Sequence, residues 1–269
     1  MTTPDADSPT VEQLFDLSGR TALITGARGY LGRAQAAALA EAGARVIVSS
    51  RHRDQALAVA EELGGPQAGR HLAVCLDYLD ESSLAEGFAE AVAQAGQTDI
   101  LVNNGNAAVA ADWSTVTGAE FQRQLANLTG YFLLARQVRN HAVAAQRPAS
   151  IILLGSMYGV VGSYPDAYAG ICPASPAAYH GLKGGIVHLT RHLAVYWARD
   201  AVRVNCLSPG PFPSDQAPAG LAERLSTKSP MGRMGRPHEL KGAIVFLASA
   251  ASSYMTGQNL TIDGGWTAW

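Results

Sequence analysis

Short apolar runs alternate with longer alanine-rich stretches along most of the chain, and this alternation constrains the fold more than any other feature. The runs predicted as strands are residues 21–25, 45–49, 71–76, 99–103, 150–154, 202–207 and 259–262. The stretches predicted as helices are residues 31–42, 54–63, 81–95, 120–145, 178–199 and 237–249. Runs such as SIILLG and VRVNCL are almost continuously apolar, which is typical of parallel strands covered by helices on both faces. The pattern therefore predicts βαβ units and a doubly wound parallel α/β sheet.

The composition is that of a folded domain and excludes several classes of function. Hydrophobic residues make up 48% of the 269 residues, and the net charge is only −2. A disordered chain or a binder of nucleic-acid phosphates would be far more charged. No apolar run approaches the roughly 18 residues that cross a bilayer, so we expect no membrane partner. We expect a flexible tail over residues 1–15 and a single domain over residues 16–269.

The N-terminus and the cysteines indicate a cytoplasmic protein. The first residues are polar and acidic, without the apolar core of a secretion signal. Cys75, Cys172 and Cys206 are scattered and lack the spacing of metal ligands, so we predict no metal site. An odd number of cysteines in apolar surroundings is most simply explained by buried, reduced thiols.

The sequence TGARGYLG, residues 25–32, follows the first predicted strand and opens a predicted helix. Its glycines allow a tight turn and let backbone N–H groups approach a pyrophosphate at the positive end of the helix. An isolated glycine pattern could also be an ordinary turn, but the position between strand and helix favours dinucleotide binding. The candidate cofactor residues in this segment are Gly26, Arg28, Tyr30, Leu31 and Gly32.

The end of the second strand bears on the choice between NADP(H) and NAD(H). Enzymes that prefer NAD place a carboxylate here for the ribose 2′-hydroxyl, whereas this chain has Ser50 followed by Arg51. Arg51 and Arg28 could make charge-assisted bonds to a 2′-phosphate, so we predict a preference for NADP(H). The alternative is that Arg51 only begins a solvated helix. Asp77 and Tyr78 are further candidate cofactor residues, and Asp77 could bind the adenine or cap the next helix.

Tyr179 and Lys183 are four residues apart in a predicted helix, so their side chains share one face. A free phenol has a pKa near 10, and we expect the neighbouring ammonium, together with an oxidised nicotinamide, to lower the pKa of Tyr179. Ser156 follows the fifth strand, where its hydroxyl could hold a substrate oxygen or be an ordinary loop serine. Asn127 could join a proton relay through water or satisfy a local backbone group.

Taken together, these motifs resemble the short-chain dehydrogenase/reductase family from about residue 14 to residue 266. The resemblance extends through LVNNGN, VNCLSPG, GRMGRPHEL and TGQNLTIDGGW. It implies a Rossmann-like seven-stranded sheet of order 3-2-1-4-5-6-7 and a nicotinamide cofactor. It also implies that Tyr179 is the acid–base group, that Ser156 orients the substrate oxygen, that Lys183 binds the nicotinamide ribose and that Asn127 holds a relay water.

Further positions follow from the same resemblance. The resemblance implies six further cofactor contacts. Asn103 and Gly105 lie at the end of the fourth predicted strand, and Pro209, Gly210, Phe212 and Ser214 lie after the sixth predicted strand. The C-terminal TIDGGW segment resembles the one that packs tetramers in this family, so the resemblance implies a homotetramer or homodimer.

Three departures from the family pattern stand out. The glycine spacing, Gly26-x-x-Gly29-x-x-Gly32, resembles the larger epimerase-type members, and the usual Asn-Asn-Ala-Gly is Asn103-Asn104-Gly105-Asn106. Ser156 and Tyr179 are separated by roughly ten residues more than usual, which is long for such a connection. The candidate substrate residues, mostly in this added loop, are Met157, Tyr158, Tyr164, Tyr168 and Phe212. Alternatively, these side chains pack the loop against its own body.

The leading hypothesis is reversible NADP(H)-dependent interconversion of a ketone and a secondary alcohol. A sugar or polyol suits the polar, tyrosine-rich loop better than a fatty acyl thioester, for which no basic docking patch is evident. A second hypothesis is a nucleotide-sugar epimerase or dehydratase, suggested by the glycine spacing and the added loop. A third hypothesis is a non-catalytic NADP-binding sensor. The presence of all four catalytic residues weighs against it, because a sensor has no need of them.

Overall fold

Seven parallel strands form one sheet in the order β3-β2-β1-β4-β5-β6-β7. The computed structural model describes residues 8–64, 69–173 and 175–268. The strands are β1 (Thr21–Thr25), β2 (Arg45–Ser50), β3 (Leu72–Cys75), β4 (Ile100–Asn103), β5 (Ala149–Leu154), β6 (Val202–Pro209) and β7 (Asn259–Ile262). The predicted doubly wound sheet and its strand order are therefore confirmed.

Helices cover both faces of the sheet. They are α1 (Val11–Phe15), α2 (Tyr30–Glu41), α3 (Arg53–Gly64), α4 (Glu81–Ala95), α5 (Gly118–Ala144), α6 (Pro165–Tyr168), α7 (Ala177–Trp197), α8 (Leu221–Ser226) and α9 (Lys241–Ala248). Short 3-10 helices lie at Met157–Gly159, Ala198–Asp200, Pro237–Leu240 and Ala250–Ser252. Within the described residues, no helix combines the length and the apolar character needed to cross a membrane.

The division of the chain into a tail and a domain stays a prediction. Residues 1–7 of the predicted tail lie outside the described residues, whereas residues 11–15 form α1. A capping box between Thr10 and Gln13 closes the first turn of α1, and the ring of Phe15 lies 6.3 Å from that of Phe246. Ordered structure therefore begins inside the predicted tail, because capping and one aromatic contact hold this short helix.

The alternation of side chains along each strand produces two cores. Leu23 and Leu101 point to the core under α4, α5 and α7, whereas their neighbours Ile24 and Val102 point to the core under α2, α3 and α9. Because both faces of the sheet are buried, both sets of strand side chains are apolar. This explains the continuous apolar runs in the sequence.

The loops that follow β1, β4, β5 and β6 share the carboxyl edge of the sheet. From β1 the chain continues through β2 and β3 on one side, and it then crosses to β4 on the other side. A parallel sheet opens a crevice at such a reversal of strand order, at the carboxyl ends of the strands. The glycine segment after β1 and the NNGN segment after β4 therefore meet there.

Candidate active site

The glycine segment is closely packed against the loop after β4. Gly26 has φ +67°, and a side chain there would place Cβ 2.8 Å from Gly105 Cα. A Cβ on Gly32 would lie 2.1 Å from the carbonyl oxygen of Gly26. Asn104 Nδ2 donates a hydrogen bond to that same oxygen over 3.0 Å. Glycine is therefore required at positions 26 and 32, and this packing fixes the first turn of α2.

A cleft of about 700 Å³ runs from this turn across the ends of β2 and β3. Its lining includes these predicted cofactor residues: Gly26, Arg28, Tyr30, Leu31, Gly32, Ser50, Arg51, Asp77, Tyr78, Gly105, Phe212 and Ser214. Asn103 does not line it, because this buried side chain donates from Nδ2 to the carbonyl of Tyr131. Helix α4 is capped by Asp80, which leaves Asp77 at the cleft.

The cations and backbone donors of the cleft fit a dinucleotide phosphate. The side chains of Arg28 and Arg51 are exposed, and no ion pair involves them within the part of the chain that the structure describes. Their neighbours are engaged, Arg33 with Glu62 and Arg53 with Glu90. The N-cap of α2, Gly29, makes no side-chain cap, so the first N–H groups of that helix are available to an anion.

A second cavity of about 270 Å³ adjoins the first and contains the predicted catalytic groups. Ser156, Tyr179 and Lys183 line it, together with Pro209 and Gly210. The two cavities share four lining residues, which are Leu31, Asn104, Asn106 and Phe212. One extended ligand could therefore reach from the cations near β2 to the hydroxyl groups of Ser156 and Tyr179.

The side chains of Ser156 and Tyr179 line the same cavity. Burial raises the pKa of Tyr179, and the neighbouring Ser156 hydroxyl opposes that effect. Ser156 Oγ also accepts the backbone N–H of Tyr158 over 3.2 Å. The two hydroxyl groups therefore converge, as a single oxygen atom of a substrate would require.

Lys183 is buried beside Tyr179 in the same cavity. Its ammonium donates to the carbonyl of Leu154 over 2.7 Å and lies 5.5 Å from the ring centroid of Tyr179. Burial lowers the pKa of Lys183 to about 8. Burial of the phenol raises the pKa of Tyr179, and the lowering expected from the ammonium together with an oxidised nicotinamide stays a prediction.

Asn127 is buried and lies outside the lining of both cavities. Its Oδ1 accepts from the N–H of Ala107 and from the hydroxyl of Tyr78, over 2.8 and 3.0 Å. Its Nδ2 donates to the carbonyls of Ala107 and Gln124, over 3.1 and 2.8 Å. The side chain is therefore fully engaged by protein groups, which agrees with the alternative that it satisfies local backbone.

The added loop folds back on its own body. Met157 and Tyr158 are buried in a cluster with Leu221, Leu225 and Trp266, against which Tyr164 and Tyr168 pack. The hydroxyls of Tyr158 and Tyr168 are 2.5 Å apart, and the ring of Tyr158 stacks on His180 at 4.6 Å. Among the predicted substrate residues, Phe212 alone lines the catalytic cavity. The geometry agrees with the packing alternative, and a substrate role for the other four stays a prediction.

Helices α6 and α8, which we call the cap, pack against each other beside this cluster. Lys228 Nζ lies 2.6 Å from Asp166 Oδ2, and Arg224 donates to the carbonyls of Asp166 and Ala169. The cap therefore joins the added loop to the segment between β6 and α9.

Sequence reasoning missed several residues of the site. Asn104 and Asn106 line both cavities, but neither was predicted as a site residue. The NNGN motif that contains them indicated a cofactor site, but only the fold shows which of its side chains face the cavities. Among the described residues, no group of His, Cys, Asp and Glu could hold a metal ion.

The comparisons with known proteins agree on one family. A family model described as enoyl-(acyl carrier protein) reductase matches residues 26–267. Galactitol 2-dehydrogenase (L-tagatose-forming) of Cereibacter sphaeroides is 35% identical over 95% of this chain and 98% of its own length.

Solved structures agree as well. A short-chain type dehydrogenase/reductase from Mycobacterium marinum has a TM-score of 0.86 and 37% identity, covering 97% of this chain and 100% of that chain. A gluconate 5-dehydrogenase from Burkholderia cenocepacia, in complex with NADP and tartrate, has a TM-score of 0.87 and 30% identity with the same coverage.

Proposed function

The chain belongs to the short-chain dehydrogenase/reductase family and is an NAD(P)-dependent oxidoreductase, and from this we propose that it interconverts a polyol and its ketose with NADP(H). The observation that carries the proposal is the convergence of Ser156, Tyr179 and Lys183 in one cavity that continues into the cofactor cleft.

The substrate class is supported by the size and polarity of the cavity. The hydroxyls of Ser156 and Tyr179 and the amide of Asn106 line a space of about 270 Å³. Such groups can pair with hydroxyls of a small polyol, whereas a long acyl chain would leave them unpaired. Galactitol and gluconate, in the names of the two relatives, are polyhydroxy compounds.

We assign the proton transfer to Tyr179. When bound, NADP(H) supplies or takes up the hydride. Ser156 and Tyr179 hydrogen-bond the substrate oxygen, and the raised pKa of Tyr179 keeps its proton available for a developing alkoxide. Lys183, at the floor of the same cavity, would hold the nicotinamide ribose and orient the phenol. In the oxidation direction Tyr179 takes the proton of the alcohol, and the hydride would pass to the bound cofactor.

The preference for NADP(H) rests on the end of β2. Ser50 stands where an NAD-preferring enzyme has a carboxylate, and Arg51 and Arg28 line the same part of the cleft. Cations that are not already paired are the groups that a 2′-phosphate requires.

We also propose a homotetramer or homodimer in the cytoplasm. β7 is an edge strand whose residues are partly exposed, and such an edge is a ready surface for a second copy. Light scattering of the purified protein tests the assembly, and a monomer at working concentration would contradict it.

The test of the function is NADPH oxidation against ketoses, cyclic ketones and acyl thioesters, repeated with NADH. We expect turnover of ketoses, and at least tenfold higher kcat/KM with NADPH than with NADH. Tight cofactor binding without net NADPH consumption would instead support the epimerase or the sensor hypothesis. Turnover restricted to acyl thioesters would contradict the polyol assignment.

A further inference from the structure

The loop after β4 is fastened to α5 by two amide side chains. Asn127 holds both backbone groups of Ala107, as described above. Gln124 accepts from the N–H of Val109 over 2.7 Å and donates to Asn106 Oδ1 over 3.0 Å. Because Asn104 and Asn106 line both cavities, the position of this loop affects the cofactor cleft and the catalytic pocket together.

A third group reaches this network from a different part of the chain. Tyr78 lies between β3 and α4, lines the cofactor cleft, and donates its hydroxyl to Asn127 Oδ1 over 3.0 Å. Burial raises the pKa of Tyr78 to about 12, so the phenol keeps its proton and stays a donor at neutral pH. Its ring is edge-on to that of Tyr131, with centroids 6.4 Å apart.

The departure from the family's Asn-Asn-Ala-Gly pattern makes room for this tyrosine. A Cβ on Gly105 would lie 2.6 Å from Tyr78 Cε1, and a Cβ on Gly130 would lie 2.1 Å from the Tyr78 carbonyl. An alanine at position 105 would therefore push the ring away from Asn127. Gly105 and Tyr78 form a complementary pair in this chain.

We propose that Tyr78 is a positioning residue for the catalytic site. Its hydroxyl holds the Asn127 side chain, and through it the loop of residues 104–107, against both cavities. The effect on turnover rests on the proposed function, whereas the effect on the loop does not. With the hydroxyl removed, Asn127 Oδ1 keeps one donor, and the loop is held less firmly.

The test compares Tyr78→Phe with Tyr131→Phe. Both variants lose one phenolic hydroxyl from the same aromatic pair, but that of Tyr131 finds no hydrogen-bond partner among the described residues. We expect Tyr78→Phe to lower kcat about tenfold and to raise KM for the cofactor about threefold, because the loosened loop lines both cavities. We expect Tyr131→Phe to leave both constants within twofold.

Hydrogen exchange gives a readout that needs no substrate. The amides of residues 104–109 should exchange faster in Tyr78→Phe than in the wild type, and at the wild-type rate in Tyr131→Phe. If the wild type turns over no ketose, the proposed function fails, and the exchange comparison still decides on Tyr78. Unchanged exchange and unchanged kcat in Tyr78→Phe would each overturn the proposal.

A double-mutant cycle tests the pairing with Gly105. Gly105→Ala alone should lower kcat like Tyr78→Phe, because the new methyl group displaces the ring. In a Tyr78→Val background the same alanine should cost nothing further, since no ring remains to be displaced. Equal costs of Gly105→Ala in both backgrounds would show that the pair is not coupled and would overturn this part of the proposal.

Discussion

Tyr179 and Lys183 show what can be predicted for single residues and what cannot. Their spacing of four residues places both on one face of α7, and the structure brings both into one cavity. The direction of the pKa of Tyr179 could not be predicted, because it depends on how deeply the fold buries the phenol. The same limit applies to Tyr158 and Tyr168, whose packing partners come from α8 and the C-terminal segment.

The first prediction concerns the pH dependence of reduction. Burial lowers the pKa of Lys183 to about 8, so the ammonium is lost as the pH rises through that value. We expect kcat/KM for ketone reduction to fall above about pH 8, since this constant reports the free enzyme. Arginine cannot lose its charge, so Lys183→Arg should be slower but should not show this fall of kcat/KM above about pH 8. If kcat/KM still falls above about pH 8 in Lys183→Arg, the fall is caused by the titration of another group.

The second prediction concerns the cation beside Ser50. Arg51→Ala should raise KM for NADPH about tenfold and change KM for NADH less than twofold, because only NADPH carries the 2′-phosphate. Arg53→Ala is a matched control, since that nearby guanidinium is already paired with Glu90. Equal effects of Arg51→Ala on both cofactors would contradict the assignment.

At the scale of elements, long periodic segments could be predicted and short ones could not. Helix α4 has the predicted bounds of residues 81–95, and the structure places strand β7 over the predicted residues 259–262. The cap helices α6 and α8 were not predicted, because four and six residues are too few to show a helical period. Their positions depend on contacts with each other and with Trp266.

The third prediction tests the cap. Arg224→Ala removes the hydrogen bonds to the Asp166 and Ala169 carbonyls, so the two helices of the cap should be held together less firmly. We expect KM for the ketone to rise about three- to tenfold while KM for NADPH is unchanged. Lys241→Ala is the control, since it removes another partly exposed contact, to Glu41. An equal rise in both variants, or none, would show that the cap does not shape the substrate site.

The fourth prediction concerns the β2–β3 edge of the sheet. His71 Nδ1 accepts the backbone N–H of Val46 over 3.0 Å, and burial lowers the pKa of His71 below its usual 6.5. Well above pH 6.5 the imidazole is neutral in both the folded and the unfolded chain. As the pH falls below that value, the unfolded chain takes up the proton first, so folding stability decreases.

The measurement is the thermal unfolding midpoint at neutral pH and at about pH 5.5. His71→Gln replaces the imidazole with a group that does not titrate, so its midpoint should fall less over this interval than that of the wild type. Identical pH dependence in the two proteins would contradict the role of His71.

For the whole molecule, the topology determines where the chemistry can occur. The reversal of strand order beside β1 brings residues from five loops to one edge, although Gly26 and Phe212 are far apart in sequence. The motif order in the sequence was enough to predict this architecture and the family. It could not predict how the two cavities join, because that depends on the loop that Tyr78 and Asn127 hold.

A comparison of the wild type with Tyr179→Phe tests the central claim most directly, with NADPH oxidation on a ketose and NADPH affinity measured on the same preparations. We predict a loss of turnover of about a hundredfold or more, the range of general acid–base catalysis, with NADPH affinity within about threefold. Undiminished turnover in Tyr179→Phe would contradict the claim that this phenol, beside Ser156 and Lys183, moves the proton.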